Sequence, residues 1–198
     1  YVTYHSSRGV PAQELADRCH RTLRRARDTG VDRLRDDQVG WLENFWASSD
    51  VEVGGDDATQ QAVRFSLFQL AQNSALTNEV GIAAKGITAG GYDGHYFWDT
   101  EIYVLPFLAL TEPNAARKLL RWRWHMLPMA RQRAAELSQK GALYPWRTIN
   151  GEEASAYYAA GTAQYHINAA VPHAIERYRS ATGDLDFMAH EGAEILVE

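Results

Sequence analysis

The sequence predicts an all-α fold, and three observations carry that expectation. Apolar residues recur at spacings of three and four along most of the chain. The breaks between these stretches fall at Gly, Pro and Asp in positions that stop or start helices. Two stretches are apolar nearly all round, as helices buried on more than one side are.

Taken in order, residues 2–5 alternate like the end of a strand. Residues 11–29 read as a helix in which Leu15, Cys19, Leu23 and Ala26 form one stripe, and Gly30 ends it. Residues 37–47 are a second helical piece, with Trp41, Leu42, Phe45 and Trp46 at helical spacing. The run SSDVEVGGDD (48–57) breaks the pattern with polar turn residues. Asp57 is placed to cap the next helix, with Gln60 reaching back to it. That helix carries Ala62, Phe65, Leu67, Phe68, Leu70 and Ala71, apolar over most of its circumference. Residues 81–94 are loop, and 100–110 are again apolar nearly all round.

Pro113 opens a helix expected to run to about Lys140, because proline is tolerated in a first turn. Ala116, Leu120, Trp124, Leu127 and Ala134 hold its stripe. Pro128 should kink it or split it in two. Lys140 and Gly141 read as its cationic last turn and stop. An aromatic-rich loop spans 141–161. A helix over 163–181, bent at Pro172 and closed by Gly183, follows. Asp184 caps a last helix still running at Glu198. The long Gly- and aromatic-rich loops between these helices are where function is expected.

Composition excludes several classes. The 198 residues are 45% apolar and 23% charged with a net charge of −5, ordinary for a globular protein. No basic surplus exists to neutralise phosphates, so nucleic acid is not an expected partner. No apolar run approaches the roughly 20 residues of a membrane span. The lone Cys19 allows no disulfide framework and reads as a small buried hydrophobe. YVTYHSSRG lacks the pattern of a signal peptide, and the cytoplasm is the expected location. Its strand-like opening suggests a piece of a longer polypeptide. The seven histidines are scattered, without HExxH or His-x-His, so no metal is expected.

The most informative stretch is KGITAGGYDGHYFWDTEIYVLP (85–106). It sets Tyr92, Tyr96, Phe97 and Trp98 among glycines and follows them with Asp99 and Glu101. Flat apolar faces beside carboxylates suit a sugar, which has an apolar C–H face and a rim of hydroxyls. Two readings of Asp99 stand side by side: a ligand for sugar hydroxyls, or a cap for the helix that begins at Thr100. Trp98 is either pocket wall or core. A second constellation, ALYPWRTINGEE (142–153), again places aromatics, Tyr144 and Trp146, before carboxylates, Glu152 and Glu153. Paired carboxylates serve glycoside chemistry, but neighbouring residues point different ways, so these two do not form a dyad. In GTAQYHIN (161–168), His166 is either a ligand-binding or an ordinary helix histidine.

Together FWDTE (97–101) and YPW…NGEE (144–153), with DVEVGGDDATQQAVRFSLFQL (50–70), ARKLLRWRWHMLPMA (116–130) and the rest of 142–168, resemble glycoside hydrolase family 65. That family includes maltose, trehalose and kojibiose phosphorylases and a minority of hydrolases. The resemblance implies a partial (α/α)6 barrel over 50–198, preceded over 1–49 by the end of an N-terminal domain and a helical linker. It implies that Trp98 and Asp99 hold the nonreducing glucose, with Arg64, Trp146 and Glu153 at nearby substrate-binding positions. The family's general acid, a glutamate well downstream, matches nothing here, so no catalytic residue is assigned. The implied activity is inverting phosphorolysis of an α-glucosyl disaccharide, with inorganic phosphate as co-substrate and no cofactor. NGEEASAYYAAGTAQYHIN (150–168) looks nearest to the trehalose type, with maltose or kojibiose as the other expected substrates and hydrolysis on the same fold as the alternative. A part-barrel should expose apolar helix faces, which favour association such as a homodimer.

Overall fold

The computed structural model describes residues 11–75, 80–87, 90–155 and 164–198. They fall into two compact units, one ending at Ala47 and the other comprising Ser48–Glu198. The expected strand at 2–5 lies outside the described residues.

In the first unit, α1 (Ala12–Thr29) starts after Pro11, and Gly30 terminates it at a φ of +82°. Its stripe is less buried than the spacing suggests. Leu15, Cys19 and Ala26 are half-buried and Leu23 is exposed. The second helix, α2 (Val31–Ser49), begins six residues earlier than the expected Asp37. Only Val31 and Leu34 are apolar over 31–36, and both are exposed, so no buried stripe marks this turn. Same-face ion pairs accompany this solvated turn instead: Arg33 with Asp37 at 2.9 Å and Arg35 with Asp32 at 3.5 Å. Phe45 is buried against Trp41, stacked at 5.9 Å, and Trp46, edge-on at 5.1 Å.

The second unit opens with α3 (Asp57–Ser74). Its N-cap is Asp56, not the expected Asp57. Asp56 is extended (φ −148°, ψ 109°), and its carboxylate accepts from the backbone N–H groups of Ala58 and Thr59. The Thr59 hydroxyl, followed by these two backbone bonds, holds its pKa below the usual carboxylate value. Gln60 does reach back, but to the incoming loop, where its amide bonds Val53 N–H and Val51 C=O. Two adjacent aspartates offer the same cap chemistry in two registers, and this loop contact accompanies the one observed. Asp56→Ala should therefore cost about 1 kcal/mol in thermal unfolding, and Asp57→Ala clearly less. The helix was expected to be covered on more than one side. Its buried residues are Leu67, Ala71 and Ser74, and Phe65 is 62% exposed.

After the loop, a two-residue strand β1 (Tyr96–Phe97) pairs antiparallel with β2 (Arg147–Thr148). A wide π-type turn, Thr100–Val104, leads into α4 (Leu105–Thr111). The expected long helix after Pro113 is split, as Pro128 predicts, into α5 (Pro113–His125) and α6 (Leu127–Glu136). It stops four residues short of Lys140, and Ser138 turns the chain at a φ of +57°. The helix α7 (His166–Thr182) tolerates Pro172 in its interior and ends on left-handed Gly183, whose N–H bonds Arg179 C=O. Asp184 caps α8 (Leu185–Phe187) through Phe187 N–H, as expected. A second wide turn, Met188–Gly192, then joins α9 (Ala193–Val197).

Helices α4, α5 and α7 pack on one another. Leu108, Leu119, Leu120, Ile167, Val171 and Ile175 meet there without solvent exposure. Each large aliphatic side chain so buried contributes about 1.5–3 kcal/mol. Polar bonds hold the last helices to α5 and α6. Arg117 donates to Asp186 at 2.7 Å, Arg121 donates to both carboxylate oxygens of Glu191, and Trp124 Nε1 donates to Glu194 at 2.7 Å. Apolar helix faces are exposed at Phe65, Tyr103 and Leu110, the last at 78%. No described helix is long and apolar enough to cross a membrane.

Candidate functional site

The β1–β2 pairing is what assembles the site. Tyr96 opposes Thr148 and Phe97 opposes Arg147, so the two aromatic–carboxylate motifs, some fifty residues apart in sequence, lie side by side. Phe97 meets Trp146 edge-on at 5.3 Å and Tyr92 at 5.0 Å. Such aromatic pairs add about 0.5–1.5 kcal/mol beyond the area they bury.

Within the first motif the side chains divide. Tyr96 and Phe97 are core residues, 2% and 6% exposed. The reading of all four aromatics as ligand-facing is corrected for these two. Tyr96 packs on Trp122 with ring centroids 4.5 Å apart, beneath Gly81. A Cβ at Gly81 would stand 2.6 Å from Trp122 Cη2 and 2.7 Å from Tyr96 Cδ2, so only glycine fits against these rings. Trp98 is half-buried and Tyr92 half-exposed. Asp99 is exposed and makes no capping bond to the helix that follows. Among the described residues its carboxylate has no hydrogen-bond or ion-pair partner. The cap reading of Asp99 therefore finds no support in the geometry.

Glu101, two residues on, is not a sugar-facing carboxylate. It is fully buried, and Arg123 Nε and Nη2 donate to its two oxygens at 2.8 and 2.9 Å. The Tyr96 hydroxyl donates to Oε1 as well, at 2.5 Å. Burial alone would lower the Arg123 pKa, but the charge and hydrogen bonds of Glu101 reverse this and hold the guanidinium above its ordinary value. Burial, then the Glu101 charge, pushes the Tyr96 phenol well up, so it stays a neutral donor. This pair had no sequence signal of its own, since an acid after a tryptophan reads equally as ligand or anchor. The only available hint was Arg123 standing in the otherwise apolar-flanked run WRWHML (122–127).

The other predicted residues occupy different surroundings. Trp98 lines an open groove of about 520 Å³ with Ile102, His166, Ala169, Ala170 and His173. The His166 ring meets Trp98 edge-on at 4.6 Å, which places this histidine at the candidate site. Glu153 turns inward: its carboxylate accepts from the backbone N–H of Trp146 at 2.7 Å, Arg147 at 3.3 Å and Ser155 at 2.9 Å. It thereby holds the YPW and NGEE ends of its loop together and lines a polar cleft of about 220 Å³ with Met129, Arg133 and Gly151. Arg64 lies on α3 with both its Nε and Nη2 on Asp50, and this pairing holds the Asp50 carboxyl below its usual range. Among the described residues Arg64 makes no hydrogen bond, ion pair or ring contact with the other four. The structure thus brings Trp98, Trp146 and Glu153 to one pair of strands and leaves Arg64 apart. No group of three metal-binding side chains occurs among the described residues.

An all-α domain with aromatic walls and an unengaged carboxylate is the class that the geometry describes. The sequence places it further. The model of the glycosyl hydrolase family 65 central catalytic domain matches residues 64–198. The chain belongs to that family, whose fold is an (α/α)6 barrel, and residues 64–198 are part of it. It is 46% identical over 198 residues to an α,α-trehalose phosphorylase of Thermoanaerobacter brockii, covering all of this chain and 26% of that protein. It is 50% identical over 200 residues to an uncharacterized glycosyl hydrolase of Mycobacterium tuberculosis, covering all of this chain and 25% of that protein. A solved structure from the human microbiome, described as a candidate kojibiose phosphorylase, superposes with a TM-score of 0.83 at 34% identity over 94% of this chain and 25% of that one. The chain thus spans about a quarter of the length of the curated relatives it matches.

Proposed function

We propose that the full-length protein is an inverting phosphorylase of an α-glucosyl disaccharide, α,α-trehalose first and maltose or kojibiose next, releasing β-glucose 1-phosphate and a free sugar. The observation that carries this reading is the β1–β2 pairing, which sets the FWDTE and YPW…NGEE motifs side by side with Asp99 unengaged at their edge. The match of all 198 residues to 26% of a trehalose phosphorylase supports it. Asp99 accepts hydrogen bonds from glucose hydroxyls, and charged bonds of this kind are roughly twice as strong as neutral ones. Trp98, with His166 against its ring, gives the sugar's C–H face a wall. A protonated glutamate outside this chain donates to the glycosidic oxygen while phosphate attacks the opposite face of the ring. Hydrolysis on the same scaffold differs only in the attacking nucleophile.

The test is product analysis with the full-length enzyme on trehalose, maltose and kojibiose, with and without phosphate. Glucose 1-phosphate that appears only with phosphate is the expected result. Free glucose alone, formed without phosphate, would replace the phosphorylase reading by the hydrolase one. The 198-residue chain alone is expected to show no turnover in the same assay, because this reading places the general acid outside it.

A further inference from the structure

Resting on the sugar-site reading above, we propose that the buried Tyr96–Glu101–Arg123 group is a positioning device for Asp99, which shares with Trp98 the segment between the two anchors. Tyr96 and Glu101 flank these two residues in sequence, and both ends of the six-residue segment converge on one guanidinium. The Glu101 carboxylate takes two donors from Arg123 and one from the Tyr96 hydroxyl. The Arg123 carbon also lies over the Tyr96 ring at 4.7 Å and over the Tyr144 ring at 5.5 Å. Tyr144 opens the YPW run, so one side chain of α5 touches the base of both motifs. Glu101 and Arg123 are fully buried, while Asp99 between the anchors is exposed.

Core filling alone does not call for this arrangement. Apolar side chains of the same volume serve stability as well or better than a buried ion pair. What a bidentate fork adds is direction: it sets the plane of the Glu101 carboxylate within hydrogen-bonding tolerance. The π-type turn that starts at Thr100 carries Glu101 inward two residues after the exposed Asp99. Moving Glu101 therefore moves the backbone that aims Asp99.

The experiment uses the full-length enzyme and whichever of trehalose, maltose and kojibiose it phosphorolyses. Arg123→Lys keeps the charge and loses the fork; Tyr96→Phe removes one donor and leaves the ion pair. Each is made in the wild-type and Asp99→Ala backgrounds, and kcat, KM and thermal unfolding are measured. A displacement on the order of 1 Å at a reacting site costs up to about 100-fold, so Arg123→Lys should lower kcat/KM by about 10- to 100-fold and Tyr96→Phe by a smaller factor. In the Asp99→Ala background the same changes should cost under about threefold, because their effect runs through Asp99. An equal fold-loss in both backgrounds, or none in the wild type, overturns the proposal while leaving Asp99 as a sugar ligand. An Asp99→Ala enzyme with unaltered kcat/KM instead overturns the sugar-site reading itself. If Arg123→Lys does not fold, the Tyr96→Phe pair decides alone.

Discussion

Asp99→Ala in the full-length enzyme is expected to lower kcat/KM by about two to four orders of magnitude. The figure follows from two charge-assisted hydrogen bonds to sugar hydroxyls at about 1.5–3 kcal/mol each, with about 1.4 kcal/mol per tenfold. Thermal unfolding should be unchanged, because the carboxylate caps nothing and has no partner among the described residues. Glu152→Ala, in the exposed turn of the second motif, should stay within about twofold, as surface changes usually do. The comparison is diagnostic because both residues are exposed acids that follow aromatics in sequence. Equal, small effects at the two positions would return Asp99 to the surface and remove the main support for the site.

Arg123→Met should be the most destabilising single change among those considered, by about 3–5 kcal/mol, because it leaves the buried Glu101 carboxylate without its counter-charge and with only the Tyr96 hydroxyl as donor. The double change Glu101→Leu with Arg123→Met should recover most of that loss, since it removes both charges and refills the volume. The thermal midpoint of the full-length protein reads both. A single variant that loses less than about 1 kcal/mol would mean that water reaches the pair. Recovery of stability in the double variant without recovery of kcat/KM is the further expectation if the pair positions Asp99. Stability and activity then separate in one protein.

Much of the helical scaffold was legible in the chain because its signals are local. Pro113, Pro128, Gly183 and Asp184 act within one turn of their own position, and each stands where the sequence puts it in the structure. The misses have equally local causes. Two adjacent aspartates made the α3 cap ambiguous, and Gln60 bonds to the preceding loop in the register adopted. The start of α2 carries little signal because residues 31–36 face solvent with only Val31 and Leu34 apolar, and the stop after α6 falls short of Lys140 because Ser138 takes a left-handed conformation that glycine usually marks.

The sequence by itself determined that this is a helical domain bearing two aromatic–carboxylate motifs. Periodicity, caps and residue types are properties of neighbours along the chain. Only the tertiary structure decided what each carboxylate does. Asp99, Glu101 and Glu153 are alike as residues, yet one stands unengaged, one is clamped by Arg123 and one staples its own loop. The partners that make this difference come from α5, from β1 and from the backbone of a turn. A carboxylate's role is set by which donors the fold brings within about 3 Å of it, and that is information about distance in space, which adjacency in sequence does not carry.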